Sequence, residues 1–457
     1  MNDTICALAT APGGALGIIR ISGPQALEIL SHVFRGSGDV QTYAANTIHY
    51  GHIVDYDAVS QHHLPIDEVM VSIFRTPHSY TGEDSIEISC HGSRYILNKV
   101  LELLIANGCR MANPGEYTMR AYLNGKMDLS QAEAVADLIA SSNKATHHMA
   151  MSQLRGDFSS ELSLLREKLL KLTSLLELEL DFSDHEDLEF ADRSELRSIA
   201  NDIYSRVTCL AHSYETGQAL KQGIPVAIVG KTNVGKSTLL NRLLHEDRAI
   251  VSDIHGTTRD TIEDTIDIQG VTFRFIDTAG IRQTNDTIEK IGIERTYAAI
   301  SKARIIVWML EPLATPEEIQ ELMRLTEGKQ TVIVCNKADK IDADTYFPPV
   351  IPLLCISAKT GYNIDKLEAK LFEAAEIPEL SNNDIIVTSA RQYDALVHAT
   401  DNLSRVIEGL ETNLSGDLVA EDLRLVLSDL AEITGDKGQI LPQEVLNNIF
   451  QWFCVGK

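Results

Sequence analysis

The chain has 457 residues, 44% of them hydrophobic, with a formal net charge of −25 and a pI of about 4.9. That length suits about three domains with proper cores, and the acidity excludes binding nucleic acid by bulk attraction, so an RNA contact needs a local basic patch or a partner's surface. Seven cysteines without CxxC or Cys/His pairing argue against a disulfide framework or zinc site, and with no leader or long apolar run the expectation is a cytoplasmic protein with no membrane span.

Residues 1–118 hold short apolar runs broken by Gly and Pro. "GIIRIS", "DEVMVSIF" and "DSIEISC" predict strands, and "SRYILNKVLELLIANG" a helix ended at Gly108, together an α+β domain. Residues 119–221 change texture: "LSQAEAVADLIASSNKATHHMAMSQL" and "SSELSLLREKLLKLTSLLELELDF" space apolar residues for long amphipathic helices. The acidic "DFSDHEDLEFADRSE" between helices predicts a solvated loop. Residues 222–379 alternate apolar runs ("IPVAIVG", "VTFRFIDTAG", "ARIIVWML", "QTVIVCNKAD", "IPLLCISAK") with helical stretches, which predicts a doubly wound, mostly parallel sheet. Over 380–457 helices return, one ended by Gly435 and one opened near Pro442. The α/β block therefore reads as an insertion into one helical domain.

"GKTNVGKS", Gly230 to Ser237, lies between a predicted strand and a predicted helix, the context a phosphate loop requires. Its glycines let backbone N–H groups turn toward phosphates, Lys236 offers a point charge, and the Ser237 hydroxyl suits Mg²⁺. "DTAG" (Asp277, Thr278, Ala279, Gly280) ends a second strand, placing Asp277 for Mg²⁺ through water and the Gly280 N–H for the γ-phosphate. "NKAD" (Asn336, Lys337 and Asp339 among its residues) ends another; the Asp339 carboxylate can accept two hydrogen bonds from guanine that adenine cannot donate, which selects GTP. "SAK" (Ser357, Ala358, Lys359) supports the base, and Thr258 in "GTTRD" is the candidate switch threonine for Mg²⁺. Each element alone is weaker evidence than the ordered set. Ile281 stands where Ras-type GTPases carry a water-orienting Gln. Another group must therefore position water. Arg282 reads equally as a surface charge, and Glu289 can accept from a water. The Asn233 amide either caps the turn or ligates a monovalent cation that neutralises phosphate charge.

The blocks "DTICALATAPG", "GIIRISG", "PHSYTGED", "PGEYTMRAYLNGKMDLSQAEAVADLI", "GKTNVGKSTLLN", "DIHGTTRD", "DTAGIR", "IEKIGIER" and "FCVGK" resemble, over the full length, the MnmE/TrmE family of tRNA-modification GTPases. The resemblance implies an N-terminal folate-binding and dimerisation domain, an all-α helical domain, and a Ras-like P-loop GTPase domain inserted into the latter. It implies nucleotide contacts from Asn233, Val234, Gly235, Lys236, Ser237 and Thr238, and from Ser252, Asp253, Ile254, His255, Gly256, Thr257 and Thr258, with no separate role for His255. K⁺ is implied at Asn233, Ser252, Ile254 and Thr257, Mg²⁺ at Ser237 and Thr258, and indirect water positioning at Glu289. It further implies a homodimer whose G domains pair. A flavin-dependent partner, MnmG, would join it in a heterotetramer or larger complex. The tRNA substrate would receive an aminomethyl or carboxymethylaminomethyl group at C5 of its wobble uridine. The one-carbon unit would come from 5-formyl- or 5,10-methylene-tetrahydrofolate, contacted by Arg20, Glu87, Lys126 and Lys457. A carboxylate such as Glu87 suits pterin donors and cations such as Arg20 or Lys126 suit the glutamate tail; without the resemblance each reads as a surface or pairing charge.

The chain closes on "FCVGK". Gly456 and Lys457 fit a prenylation signal poorly, so a membrane-anchored GTPase has little support. An isolated Cys454 is ordinarily an inert thiol. With the resemblance, Cys454 becomes a candidate catalytic group in the one-carbon chemistry. The rival reading, a regulatory switch GTPase in ribosome assembly, does not account for the N-terminal blocks and the terminal cysteine.

Overall fold

The computed structural model describes residues 3–57, 62–181, 193–231, 233–246, 264–276, 297–310, 324–340, 353–377, 385–435, 450 and 456. Two compact units emerge: residues 1–139 with 153–203 and 398–457, and residues 140–152 with 204–397.

The first unit is built on a seven-stranded sheet ordered β3-β4-β5-β6-β2-β1-β7. Its strands are β1 (Ile5–Leu8), β2 (Leu16–Ser22), β3 (Phe34–Gly36), β4 (Thr47–Asp57), β5 (His62–Phe74), β6 (Ser85–His91) and β7 (Arg110–Met111). Neighbours are antiparallel except β1 and β7. Period-2 alternation sends Ile19, Ile21, Ile86 and Ile88 into a core with Leu30 of α1 (Ala26–Val33) and Val100 and Leu104 of α2 (Arg94–Ala106). The same alternation leaves Arg20 and Glu87 on the opposite face, directly opposed across β2 and β6. The cross-strand row continues through Ser72 of β5 to Ile48 of β4.

Helices follow: α3 (Glu116–Leu123), α4 (Leu129–Ala140), α5 (Lys144–Arg155), α6 (Asp157–Asp181) and α7 (Arg193–Gln222). The segment read as helical from residue 129 onward is thus divided. Asn143 caps α5 by accepting from the Thr146 N–H at 2.8 Å, and Gly156, at φ +87°, separates α5 from α6. Buried leucines 162, 165, 169, 172 and 176 form the inner stripe of α6. That stripe packs on α11 (Gly416–Thr434), which buries Leu423, Val426, Leu430 and Ile433. Of the last predicted helix only Phe450 is described; it is buried with Met119, Leu129 and Ala132.

The second unit holds a six-stranded sheet ordered β13-β12-β11-β8-β10-β9. The strands are β8 (Ile224–Gly230), β9 (Asp264–Ile268), β10 (Val271–Phe275), β11 (Ile305–Leu310), β12 (Gln330–Cys335) and β13 (Leu353–Cys355). All pair in parallel except β9 with β10. Both faces are covered: one by α8 (Lys236–Glu246) and α9 (Ile364–Ala374), the other by a cluster including Ala299, Ile300 and Ala303. Helix α10 (Ala390–Glu411) lies between α9 and α11 in the chain.

Candidate functional site

In an open parallel sheet, ligands meet the carboxyl ends of the strands. Here β8 ends at Gly230, β12 runs into Asn336, and β13 into Ser357. The phosphate loop between β8 and α8 depends on its glycines. Gly230 has φ +150°, and a Cβ there would overlap the Met309 carbonyl oxygen. Gly235 has φ +103°, and a Cβ there would overlap the Asn336 amide. Asn233 is itself left-handed, at φ 65°, a region asparagine tolerates better than most residues. Lys236 donates from Nζ to the Gly230 carbonyl at 2.6 Å and the Lys231 carbonyl at 2.8 Å. Burial lowers its pKa, a penalty that an anionic ligand offsets. Ser237 and Thr238 follow in the first turn of α8.

Asn336 joins the three loops. Its amide nitrogen donates to the Val234 carbonyl at 2.8 Å, and its amide oxygen accepts from the Ala358 N–H at 3.0 Å. It is 4% exposed, so both bonds are shielded from water. Ser357 donates from Oγ to Asp339 Oδ1 at 2.6 Å, and this hydrogen bond, ahead of lesser causes, holds the Asp339 carboxyl below its usual range. Arg242 of α8 ties back to the Lys359 carbonyl at 2.9 Å. The structure therefore brings together Asn233, Val234, Gly235, Lys236, Asn336, Lys337, Asp339, Ser357, Ala358 and Lys359. Ser252 to Thr258, Asp277 to Gly280, Ile281, Arg282, Glu289, Cys454 and Lys457 lie outside the described residues. The role of Asn336 as a pin between phosphate loop and base loop was not anticipated; only its place in "NKAD" pointed to it.

The first unit holds a second cluster. Arg20 gives Glu87 Oε1 two hydrogen bonds, from Nε at 3.0 Å and Nη2 at 2.7 Å, and donates from Nη1 to the Gly456 carbonyl at 3.3 Å. Its guanidinium carbon lies 5.6 Å from the ring centroids of both Tyr80 and Tyr117, within cation–π range. The Tyr117 hydroxyl donates to the Arg20 carbonyl at 2.8 Å, and burial holds its pKa well above the ordinary phenol value. Lys126 is exposed and donates to the Pro77 carbonyl at 2.9 Å. Behind this cluster Arg120, 1% exposed, donates to the Asp3 carbonyl and to the carboxylates of Asp3, Glu83 and Glu116. Arg110 also clamps Glu116. Burial raises the Glu116 pKa, but Arg110, the Asn113 N–H and Arg120 outweigh it, and the net shift is downward. The tyrosine pair and the buried network escaped the sequence reading; the i,i+4 spacing of Glu116 and Arg120 was the available signal.

The parallel sheet, the glycine-dependent loop feeding α8, and the Asn336–Asp339–Ser357 constellation define a Ras-like P-loop GTPase domain. Comparison with known proteins carries this further. The family model "MnmE helical domain" matches residues 129–454, bracketing the GTPase segment, and "GTP-binding protein TrmE N-terminus" matches residues 4–126. The tRNA modification GTPase MnmE of Phocaeicola vulgatus is 55% identical over 496 residues, covering 100% of this chain and 99% of that protein. MnmE of Bacteroides thetaiotaomicron is 53% identical, with 100% of both chains covered. Among solved structures, a point variant of Era from Aquifex aeolicus bound to GDP·AlF4⁻ is 28% identical over 39% of this chain and 66% of that chain, with a TM-score of 0.27. The chain belongs to the MnmE (TrmE) family of tRNA modification GTPases.

Proposed function

We propose that this GTPase installs an aminomethyl or carboxymethylaminomethyl group on C5 of a tRNA wobble uridine, working in the cytoplasm with the flavin-dependent MnmG and a tetrahydrofolate one-carbon donor. The observation that carries this reading is the hydrogen bond to the Gly456 carbonyl from Arg20, itself paired with Glu87 and flanked by Tyr80 and Tyr117, which joins Gly456 to a polar, aromatic-flanked site.

In that site Glu87 commits Oε1 to Arg20, and among the described residues Oε2 has no partner, so Oε2 can accept from a pterin donor. Lys126 and Lys457 are the cations for the folate's glutamate carboxylates. Cys454 takes part in the one-carbon chemistry through its thiol. In the nucleotide site Asn233 to Thr238 wrap the phosphates, Asp339 reads guanine, and Asn336 keeps the two loops in register. Ser237 and Thr258 would hold Mg²⁺, and Asn233, Ser252, Ile254 and Thr257 would hold K⁺; when bound, these cations offset the phosphate charge. Glu289 orients the attacking water, since Ile281 cannot. A homodimer is supported by an apolar strip on β4 and β5, where Ile48, Tyr50 and Met70 are 63%, 57% and 46% exposed and Tyr50 pairs directly with Met70.

Calorimetric titration of the full-length protein with 5-formyltetrahydrofolate tests the folate reading. Wild type is expected to bind, and Glu87→Ala to bind at least tenfold more weakly. Equal binding by the two proteins would remove Glu87 from the site.

A further inference from the structure

We propose that Arg20 is a positioning residue that latches the C-terminal tail, and that Gly456 is the catch it holds. The chemical purpose of the latch rests on the folate reading above; its geometry does not.

Two independent features place the tail. The first is the hydrogen bond from Arg20 Nη1 to the Gly456 carbonyl. The guanidinium has little freedom to leave that position: Glu87 holds its other edge, and the rings of Tyr80 and Tyr117 flank it. The Tyr117 hydroxyl bonds the carbonyl of Arg20 itself, so the ring and the side chain it flanks are fixed by one residue. The second feature is steric. Gly456 has φ +100°, a backbone region that L side chains rarely adopt, and a Cβ there would overlap the Leu8 carbonyl oxygen and come within 3.2 Å of Ala9 Cα. Leu8 closes β1, opposite Ile19 of β2, and the Ala9 N–H continues the ladder to the Ile18 carbonyl at 2.7 Å. The catch is therefore built from two paired strands, with Arg20 opposite Ala7 one position away. It excludes every side chain at position 456.

Cys454 and Lys457 neighbour Gly456 in the sequence and lie outside the described residues. A lysine at position 20 could not serve equally, because a single ammonium lacks the fork that spans the Glu87 carboxylate and the Gly456 carbonyl together.

Carboxypeptidase B, which releases a C-terminal lysine only from a free tail, tests the latch on full-length protein without folate. Release of Lys457 is followed by mass spectrometry, with rates normalised to synthetic peptides ending "FCVGK" and "FCVAK". Wild type should release Lys457 slowly; Gly456→Ala and Arg20→Gln should release it at least tenfold faster, and Arg20→Lys should fall between. Gly456→Ala changes the end of the chain, so it keeps the test decisive if Arg20→Gln fails to fold. Normalised rates equal to wild type in Gly456→Ala, or in a folded Arg20→Gln, would overturn the latch. Binding of 5-formyltetrahydrofolate to the same proteins separates the two ideas. A fast-releasing variant in a protein that binds no folate keeps the latch and sinks the folate reading; unchanged release with folate affinity lost on Arg20→Gln does the reverse.

Discussion

At the residue scale, the proposed choice of base rests on Asp339. Ser357 donates to one carboxylate oxygen and holds the carboxyl pKa below its usual range, so in the proposed reading an ionised carboxylate meets the guanine edge. Asp339→Asn replaces an acceptor by a group that can donate, so preference should pass from GTP to XTP, whose base has a carbonyl where guanine has an amine. Nucleotide competition binding reads this directly, and an unchanged GTP affinity would displace Asp339 from the base site. The place of Asp339 was legible because "NKAD" keeps its chemistry within four residues. The pairing of Arg20 with Glu87 was not, because the two residues are 67 positions apart and only the β2–β6 register opposes them. Read separately, each is a surface or pairing charge, and only the family resemblance makes either a ligand contact. In the fold they neutralise one another first, and what remains for a ligand is the second oxygen of Glu87.

At the element scale, α3 shows how a buried charge fixes a helix. Glu116 and Arg120 are 2% and 1% exposed, and they meet at 2.9 Å one turn apart. Removing one partner leaves the other charge buried, so Glu116→Ala should cost about 3–5 kcal/mol in a denaturant melt of the protein. The sign of the pH effect follows from the lowered Glu116 pKa. Its contribution is complete above the unfolded-state value of 4.5 and is lost as pH falls below that value and through the lower folded-state one. Melts from pH 6 downward should therefore converge for wild type and Glu116→Gln at the acid end; a constant gap would contradict the pairing. The break between α4 and α5 is a smaller case. Asn143 caps α5 and donates to Thr272 Oγ1 at 2.8 Å, while the Ala145 N–H bonds the Gly270 carbonyl at 3.1 Å. Asn143→Ala should cost about 1 kcal/mol. Apolar spacing on both sides of "SSN" masked this break, since periodicity reports faces and the cap is a local polar event. β4 went unread because "TIHYGHIVDYD" exposes Ile48 and Tyr50 while His49 and Gly51 alternate with them on the face of buried Ile53, which blunts the apolar-in, polar-out pattern that made β2 and β6 plain.

At the scale of the whole molecule, the sequence order of strand, loop and helix made the GTPase domain legible, because the phosphate loop, "NKAD" and "SAK" sit at strand ends that the parallel topology gathers. The assembly of the tail onto the N-terminal sheet was not legible from the residues alone, since it joins positions 436 apart. Two consequences belong to this scale. With Ile281 in place of a water-orienting Gln, GTP turnover should fall strongly when Na⁺ replaces K⁺, and Asn233→Ala should abolish most of that difference; equal rates in the two salts would discard the cation role. Glu289→Ala should slow hydrolysis while leaving GTP binding nearly intact. In the function proposed above, one chain couples a GTPase domain to thiol- and folate-dependent modification of tRNA. Its most direct test is mass spectrometry of wobble uridines from cells lacking this protein, complemented with wild type or with Cys454→Ser. The C5 group should disappear in the deletion, return with wild type, and stay absent with Cys454→Ser even though that protein still hydrolyses GTP. Full modification in the deletion, or normal modification restored by Cys454→Ser, would contradict it.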